Sequence, residues 1–203
     1  MSELFSIQLQ NRQQQGRDGV WLDLPTTTEQ IQAALRQIGI SSDNPQGLFI
    51  SGYFAEEEKR FAIPYNMVLA SNVDELNFLA SRLETLSTGE RAELNAALQA
   101  PQSELFSIGR ITDFPENVDY YVHLPDVHGP AQLGDYYLNR SGMVDMPEEW
   151  KGGIDTAQFG RYVAQQEQGV FTEYGYLVKS GDAWQKVHEG QPVPEEYRVL
   201  SFP

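Results

Sequence analysis

Residues 153–178 constrain the fold more than any other stretch, because they predict a helix that runs directly into a strand or hairpin. Apolar side chains recur at close to helical spacing in the first half of the stretch: Ile154, Phe159, Tyr162 and Val163. Asp155 at its front favours a helix start, and Gly169 is a plausible helix stop. The residues at 170–172 and 174–178 are β-branched and aromatic, as strand residues usually are.

The remaining chain repeats short strand and helix patterns. Alternating apolar residues predict strands at 4–9, 19–24 and 47–54, and amphipathic spacing predicts helices at 27–39, 73–83 and 87–98. Such a mixture predicts an α+β fold of small antiparallel-sheet-plus-helix modules that flank a short helical segment. We therefore expect an N-terminal α+β domain at 1–66, a small helical domain at 67–101 and a C-terminal acidic α+β domain at 102–203.

A six-residue repeat links the two halves of the chain. The residues at 103–108, Ser-Glu-Leu-Phe-Ser-Ile, are identical to those at 2–7. Because the first copy has a strand pattern, we expect the second copy to form a strand as well. Duplication of an ancestral unit and convergence of two similar strands both explain the repeat.

Composition excludes several classes of protein. The formal net charge is −15, from 29 acidic against 14 basic residues, which disfavours direct binding to nucleic acid or to an anionic membrane. The chain contains no cysteine, so disulfides and thiolate metal sites are excluded. Neither a secretion signal nor an apolar run of roughly 20 residues is evident. We expect a soluble cytoplasmic protein that can bury a core, since 40% of its residues are hydrophobic.

The most acidic window lies at 113–149. It contains eight acidic residues against Arg140 alone, a net charge of −7. Aromatic residues interleaved with these acids can anchor the backbone while the carboxylates face solvent. The eight acids are Asp113, Glu116, Asp119, Asp126, Asp135, Asp145, Glu148 and Glu149.

The helix-to-strand stretch also resembles a known family. Its pattern is similar to the signature region of the ArdA antirestriction proteins, and the similarity rests on Phe159, Gly160, Arg161, Val163, Ala164, Gly169, Phe171, Thr172, Gly175 and Tyr176. Residues 118–128 and 136–138 resemble the same family at a matching distance from this signature. Members usually carry an acid directly after the Gly-Arg pair, and here that position is Tyr162.

The resemblance implies a function. ArdA proteins are acidic DNA mimics that occupy the DNA groove of Type I restriction-modification enzymes, so the implied partner is the methyltransferase core of such an enzyme. It further implies an elongated homodimer of three small domains that is not an enzyme and has no cofactor and no metal. The acids at 113–149 are then the expected stand-ins for DNA phosphates.

Two other classes of function stay open at this point. His123 and His128, with nearby carboxylates such as Asp126, would be the ligands of a small metal-dependent hydrolase. The two histidines are five positions apart and no third strong ligand is evident, so solvated or hydrogen-bonded histidines are the expected outcome. The other class is an acidic adaptor for a basic protein.

Two charged sites outside the acidic window have structural interpretations. Residues 56–60 predict a solvated charged turn, and Arg161 predicts a structural ion pair with a carboxylate.

Overall fold

The computed structural model describes residues 3–14, 18–56, 61–101 and 103–201. In these residues, short helices accompany two three-stranded antiparallel sheets, so the predicted α+β class is confirmed. None of the described helices combines the length and the apolar character needed to cross a membrane. Most of the predicted charged turn at 56–60 lies outside the described residues.

The strands are β1 (Phe5–Asn11), β2 (Val20–Leu24), β3 (Leu48–Phe54), β4 (Tyr121–Leu124), β5 (Val170–Thr172) and β6 (Gly175–Lys179). The α-helices in the described ranges are α1 (Thr28–Gln37), α2 (Tyr65–Leu69), α3 (Val73–Glu84), α4 (Thr88–Gln99), α5 (Ile108–Thr112), α6 (Pro130–Asp135), α7 (Glu148–Lys151) and α8 (Thr156–Glu167). A π-helical turn (Tyr136–Arg140) continues α6, and single 3₁₀ turns lie at Phe114–Glu116, Val118–Tyr120 and Glu195–Tyr197.

The chain forms two compact units, and each unit is assembled from separated stretches of sequence. The first unit takes its residues from 1–87, 104–116 and 185–203, and the second from 88–103 and 117–184. The division into three domains that the sequence indicates stays a prediction.

The first unit is built on the sheet β2-β1-β3, in which β1 is the central strand. Side chains of a strand alternate between its two faces, and in β1 the alternate residues Phe5, Ile7 and Leu9 are buried. Phe5 lies opposite Leu24 on one side, and Leu9 lies opposite Ile50 on the other. Helices α1 and α3 add Ile31, Leu35, Leu76 and Leu79 to the buried residues of this unit.

The strand predicted for residues 103–108 is wrong, although their sequence is identical to that of 2–7. Ile108 begins helix α5, and the Ser107 side chain caps that helix by accepting a hydrogen bond from the backbone N–H of Arg110 at 3.2 Å. The residues that follow each copy explain the difference. After residue 7 the alternating pattern continues to Asn11, whereas Ile108 and Ile111 have helical spacing and are both buried.

The C-terminal segment from residue 185 to 201 belongs to the first unit and is held there by hydrogen bonds to two buried carboxylates. The buried carboxylate of Asp113 accepts hydrogen bonds from the backbone N–H groups of His188, at 2.6 Å, and Glu189, at 3.2 Å. Asp74 in α3 does the same for the N–H groups of residues 199 and 200, at 3.1 and 2.9 Å. Two buried carboxylates thus satisfy four backbone donors of a segment that has little regular structure.

Replacing Asp113 with alanine should destabilise the first unit. The change leaves the part-buried N–H groups of His188 and Glu189 without their carboxylate acceptor, and two such unpaired donors cost about 2–4 kcal/mol in total. Urea unfolding and hydrogen exchange of these two amides measure the effect. Asp43→Ala, which removes an exposed carboxylate of the same unit, is the matched control and should change neither. Equal stability of the two variants would contradict the assigned role of Asp113.

The second unit contains the predicted helix and the hairpin that follows it, and both are confirmed. Helix α8 begins after Asp155, whose side chain accepts a hydrogen bond from the backbone N–H of Gln158 at 2.9 Å. Strands β5 and β6 pair as an antiparallel hairpin, and β4 lies on the other side of β6. The small core of this unit is formed by Val127, Leu133 and Tyr176.

Candidate functional site

Two glycines allow α6 and α8 to pack with their backbones in contact. A Cβ atom on Gly160 would lie 1.8 Å from the carbonyl oxygen of Pro130, and one on Gly134 would lie 1.9 Å from that of Thr156. Real Cβ atoms do not approach backbone oxygens this closely, so only glycine fits at either position. Gly160, a residue of the predicted family signature, therefore has a packing role.

Most other signature residues also build the second unit. Val163, Ala164 and Phe171 pack against its core, and the ring of Phe171 lies 4.9 Å from that of buried Tyr176. A Cβ atom on Gly169 would collide with the Tyr176 hydroxyl at 1.9 Å.

The hairpin turn uses two further signature residues. The hydroxyl of Thr172 donates to the carbonyl of Gly175 at 2.9 Å and accepts from the N–H of Tyr174 at 3.1 Å. Gly175 has a φ of +120°, which L side chains rarely adopt. The two residues together fix the connection between β5 and β6.

Two signature residues are less enclosed. Phe159 is half-buried, and Arg161 is exposed next to Tyr162, which is 59% exposed. Within the described ranges Arg161 makes no ion pair, so the structural ion pair predicted for it is not found there.

The eight predicted phosphate stand-ins divide between the two units. Asp113 and Glu116 belong to the first unit, where Asp113 is fully buried and Glu116 is paired with Arg82. A carboxylate with no exposed surface cannot contact a partner, so Asp113 is corrected to a structural residue. The other six belong to the second unit, and we name them the acidic set: Asp119, Asp126, Asp135, Asp145, Glu148 and Glu149.

Five of the six residues in the acidic set are exposed, and Asp135 is partly exposed. Asp135 forms an ion pair with Arg140 at 3.3 Å, and Glu148 forms one with Lys151 at 2.6 Å while its side chain stays 82% exposed. The other four members make no ion pair with any described residue. The second unit as a whole carries twelve acidic and five basic residues, a net charge of −7.

Sequence reasoning missed one unusual carboxyl group, that of Glu93 in α4. Burial raises its pKa from 4.5 to about 8, and the negative charges of Glu90 and Asp119 act in the same direction. Its Oε1 atom has no hydrogen-bond partner among the residues that the structure describes. A glutamate on a helix of otherwise ordinary pattern gives no sequence signal for such an environment.

Glu93→Gln should remove a pH-dependent loss of stability. Below pH 4.5 the carboxyl is protonated in both states; between pH 4.5 and about 8 it ionises in the unfolded chain but keeps its proton in the folded one. The free energy of unfolding therefore falls as pH rises through this window. Relative to the native chain, Glu93→Gln should gain roughly 1–2 kcal/mol between pH 4.5 and 8.5, a figure reduced for solvent screening. Urea unfolding at both pH values measures it, with Asp126→Asn as the exposed control; a constant difference between Glu93→Gln and the native chain would contradict the assignment.

The two histidines of the hydrolase hypothesis have separate surroundings. A ring nitrogen of His123 lies 2.7 Å from the carbonyl oxygen of Tyr174, so this side chain is held by the hairpin turn. His128 is exposed, and its backbone N–H donates to the side-chain oxygen of Gln132 at 2.7 Å. Across the ranges that the structure describes, no three His, Cys, Asp or Glu side chains are grouped as metal ligands would be.

The comparisons with known proteins agree with the signature. The model of the family described as "Antirestriction protein (ArdA)" matches residues 15–178, which include both the acidic set and the signature residues. No match was found among curated proteins. Because the family match extends over most of the 203 residues, the chain belongs to the ArdA family of antirestriction proteins.

Proposed function

We propose that this protein is an acidic mimic of DNA that inhibits Type I restriction-modification enzymes by occupying the DNA-binding groove of their methyltransferase core. Its family implies an antirestriction function and an interaction with restriction-modification enzymes, and it is a family of inhibitors rather than enzymes. The finer proposal is carried by one observation. Five of six carboxylates in the acidic set are exposed on a folded unit.

The physical basis of mimicry is electrostatic. B-DNA carries one phosphate per about 3.4 Å along each strand. A DNA-processing enzyme contacts these phosphates mainly through lysine and arginine, without reading sequence, and carboxylates held on a folded surface satisfy the same side chains. The net charge of −15 also steers the protein towards a basic groove and away from DNA itself.

The acidic set is supported as the contact surface by its position in the chain. Asp145, Glu148 and Glu149 are close in sequence, and Glu148 and Glu149 lie in the first turn of α7, where carboxylates also favour the helix start. Asp126 lies in the turn between β4 and α6.

We further propose that the protein acts in the cytoplasm as a homodimer, as the family resemblance implies. Light scattering coupled to gel filtration would give the mass of the protein in solution.

A cleavage assay tests the proposed function. Purified protein should inhibit DNA cleavage by a Type I enzyme in proportion to the ratio of protein to enzyme, and inhibition should weaken as salt is raised. Absence of inhibition at low salt and a high excess of protein over enzyme would contradict the proposed function. An acidic adaptor for an unrelated basic protein would give that negative result.

A further inference from the structure

The helix before the acidic residues 145–149 ends in an unusual way. Helix α6 continues into the π-helical turn Tyr136–Arg140, a geometry that is rare and frequently found at functional sites. The N–H of Ser141 donates to the carbonyl of Tyr136 at 2.8 Å, and this bond closes the turn. The wider turn places two adjacent tyrosines, Tyr136 and Tyr137, at the start of the segment that leads to the acids.

The half-buried carboxylate of Glu167 connects this turn to the rest of the second unit. The hydroxyl of Tyr137 donates to one oxygen of Glu167, and the hydroxyl of Tyr176 donates to the other at 2.9 Å. Burial raises the pKa of both phenols, and their hydrogen bonds to Glu167 raise it further, so both remain neutral donors. One carboxylate thereby joins the π-helical turn, the last turn of α8 and the central strand β6.

Ser141 connects the π-helical turn to the residues that precede Asp145. Its hydroxyl donates to the carbonyl of Tyr137 at 2.9 Å and accepts from the N–H of Met143 at 3.1 Å. Two residues further along the chain is Asp145, followed by Glu148 and Glu149 in α7. The printed hydrogen bonds thus hold Tyr137 at its phenol and at its backbone carbonyl, and they extend along the chain to Met143, two residues before Asp145.

We propose that Tyr137, Glu167 and Ser141 are positioning residues, which hold the segment 141–149 so that Asp145, Glu148 and Glu149 present their carboxylates in one arrangement. The proposal rests on the proposed function, because it assigns these residues to the same inhibitory surface. A fixed arrangement favours binding, since the partner does not have to order the segment when it binds.

Hydrogen exchange of the full-length protein tests the positioning without any partner. Tyr137→Phe and Tyr176→Phe are matched variants, because each removes one phenol from the same Glu167 carboxylate. Tyr137→Phe should accelerate exchange of the Ser141 and Met143 amides by about tenfold, and Tyr176→Phe should not. Ser141→Ala, which leaves Glu167 untouched, should accelerate exchange at Met143. Equal effects of the two tyrosine variants, or no effect of Tyr137→Phe and Ser141→Ala, would overturn the proposal.

A second readout is the salt dependence of DNA displacement from a Type I methyltransferase core. For Tyr137→Phe and Ser141→Ala, we expect roughly tenfold weaker displacement and a log–log salt slope reduced by about 1–2, because fewer carboxylates reach their basic partners. Tyr176→Phe should keep the native slope, and a native slope in all three variants would overturn the positioning role. If the native protein displaces no DNA, the proposed function fails, while the exchange result still decides whether the segment is held.

Discussion

Gly160→Ala should lower the free energy of unfolding of the second unit by about 3 kcal/mol or more. The added Cβ would meet the carbonyl oxygen of Pro130 at 1.8 Å and the backbone nitrogen of Gly134 at 2.8 Å. Neither is a flexible side chain that can rotate away, so α6 and α8 have to separate, and overpacking of this kind costs about 1–3 kcal/mol and occasionally more. Urea unfolding followed by circular dichroism measures the change.

Gly152→Ala is the matched control for this experiment. Gly152 ends α7 with a φ of −64°, and apart from its own chain neighbours and helix backbone no heavy atom of the described residues lies within 4 Å of the place its Cβ would take. The same chemical change there should alter stability by less than about 0.5 kcal/mol. Gly134→Ala should behave like Gly160→Ala, because its Cβ would lie 1.9 Å from the Thr156 carbonyl oxygen. Native-like stability of either variant at the α6–α8 interface would contradict the close packing of these two helices.

The triple variant Asp145→Asn, Glu148→Gln, Glu149→Gln should lose most of its inhibitory affinity. Each substitution removes one exposed negative charge from the acidic set and keeps the size of the side chain. At about 1 kcal/mol per ion pair removed, displacement of DNA from a Type I methyltransferase core should weaken on the order of 100-fold. The log–log salt slope should fall by about 0.9 for each ion pair that no longer forms with the core.

The control for this experiment is a second triple variant that removes the same number of negative charges, but from the first unit. Asp43→Asn, Glu195→Gln and Glu196→Gln also remove three exposed carboxylates, so both triple variants carry the same total charge. We expect this control to displace DNA with nearly native affinity. If the two triple variants weaken equally, the bulk charge of the protein rather than the acidic set carries the interaction.

Local patterns in the sequence predicted much of the fold. The clearest wrong prediction came from the six-residue repeat, whose two copies have the same sequence but different structures. The helix after Asp155 and the hairpin after Gly169 follow from spacing within a few residues, and both are present. The six residues at 103–108 have the strand pattern of 2–7 and still form a loop and a helix start. Helical spacing of Ile108 and Ile111, which begins only at the end of the repeat, decides that outcome.

The sequence predicted which stretch of the chain is richest in acidic residues, but not which of those carboxylates are exposed. The density of acids at 113–149 indicated eight candidate residues, and five of the six that belong to the second unit are exposed. The burial of Asp113 depends on backbone N–H groups of His188 and Glu189, 75 and 76 positions further along the chain. A contact between two such distant segments leaves no periodic signal, and the same is true of the two phenols that share Glu167.

Competition between this protein and duplex DNA for a Type I methyltransferase core is the most direct test of the central claim. The protein would be titrated into a preformed complex of the core with fluorescent DNA at several salt concentrations. We expect complete displacement of the DNA, no ternary complex, and an apparent affinity that falls linearly on a log–log plot against salt. No displacement at any salt, or a stable complex that contains both protein and DNA, would contradict mimicry.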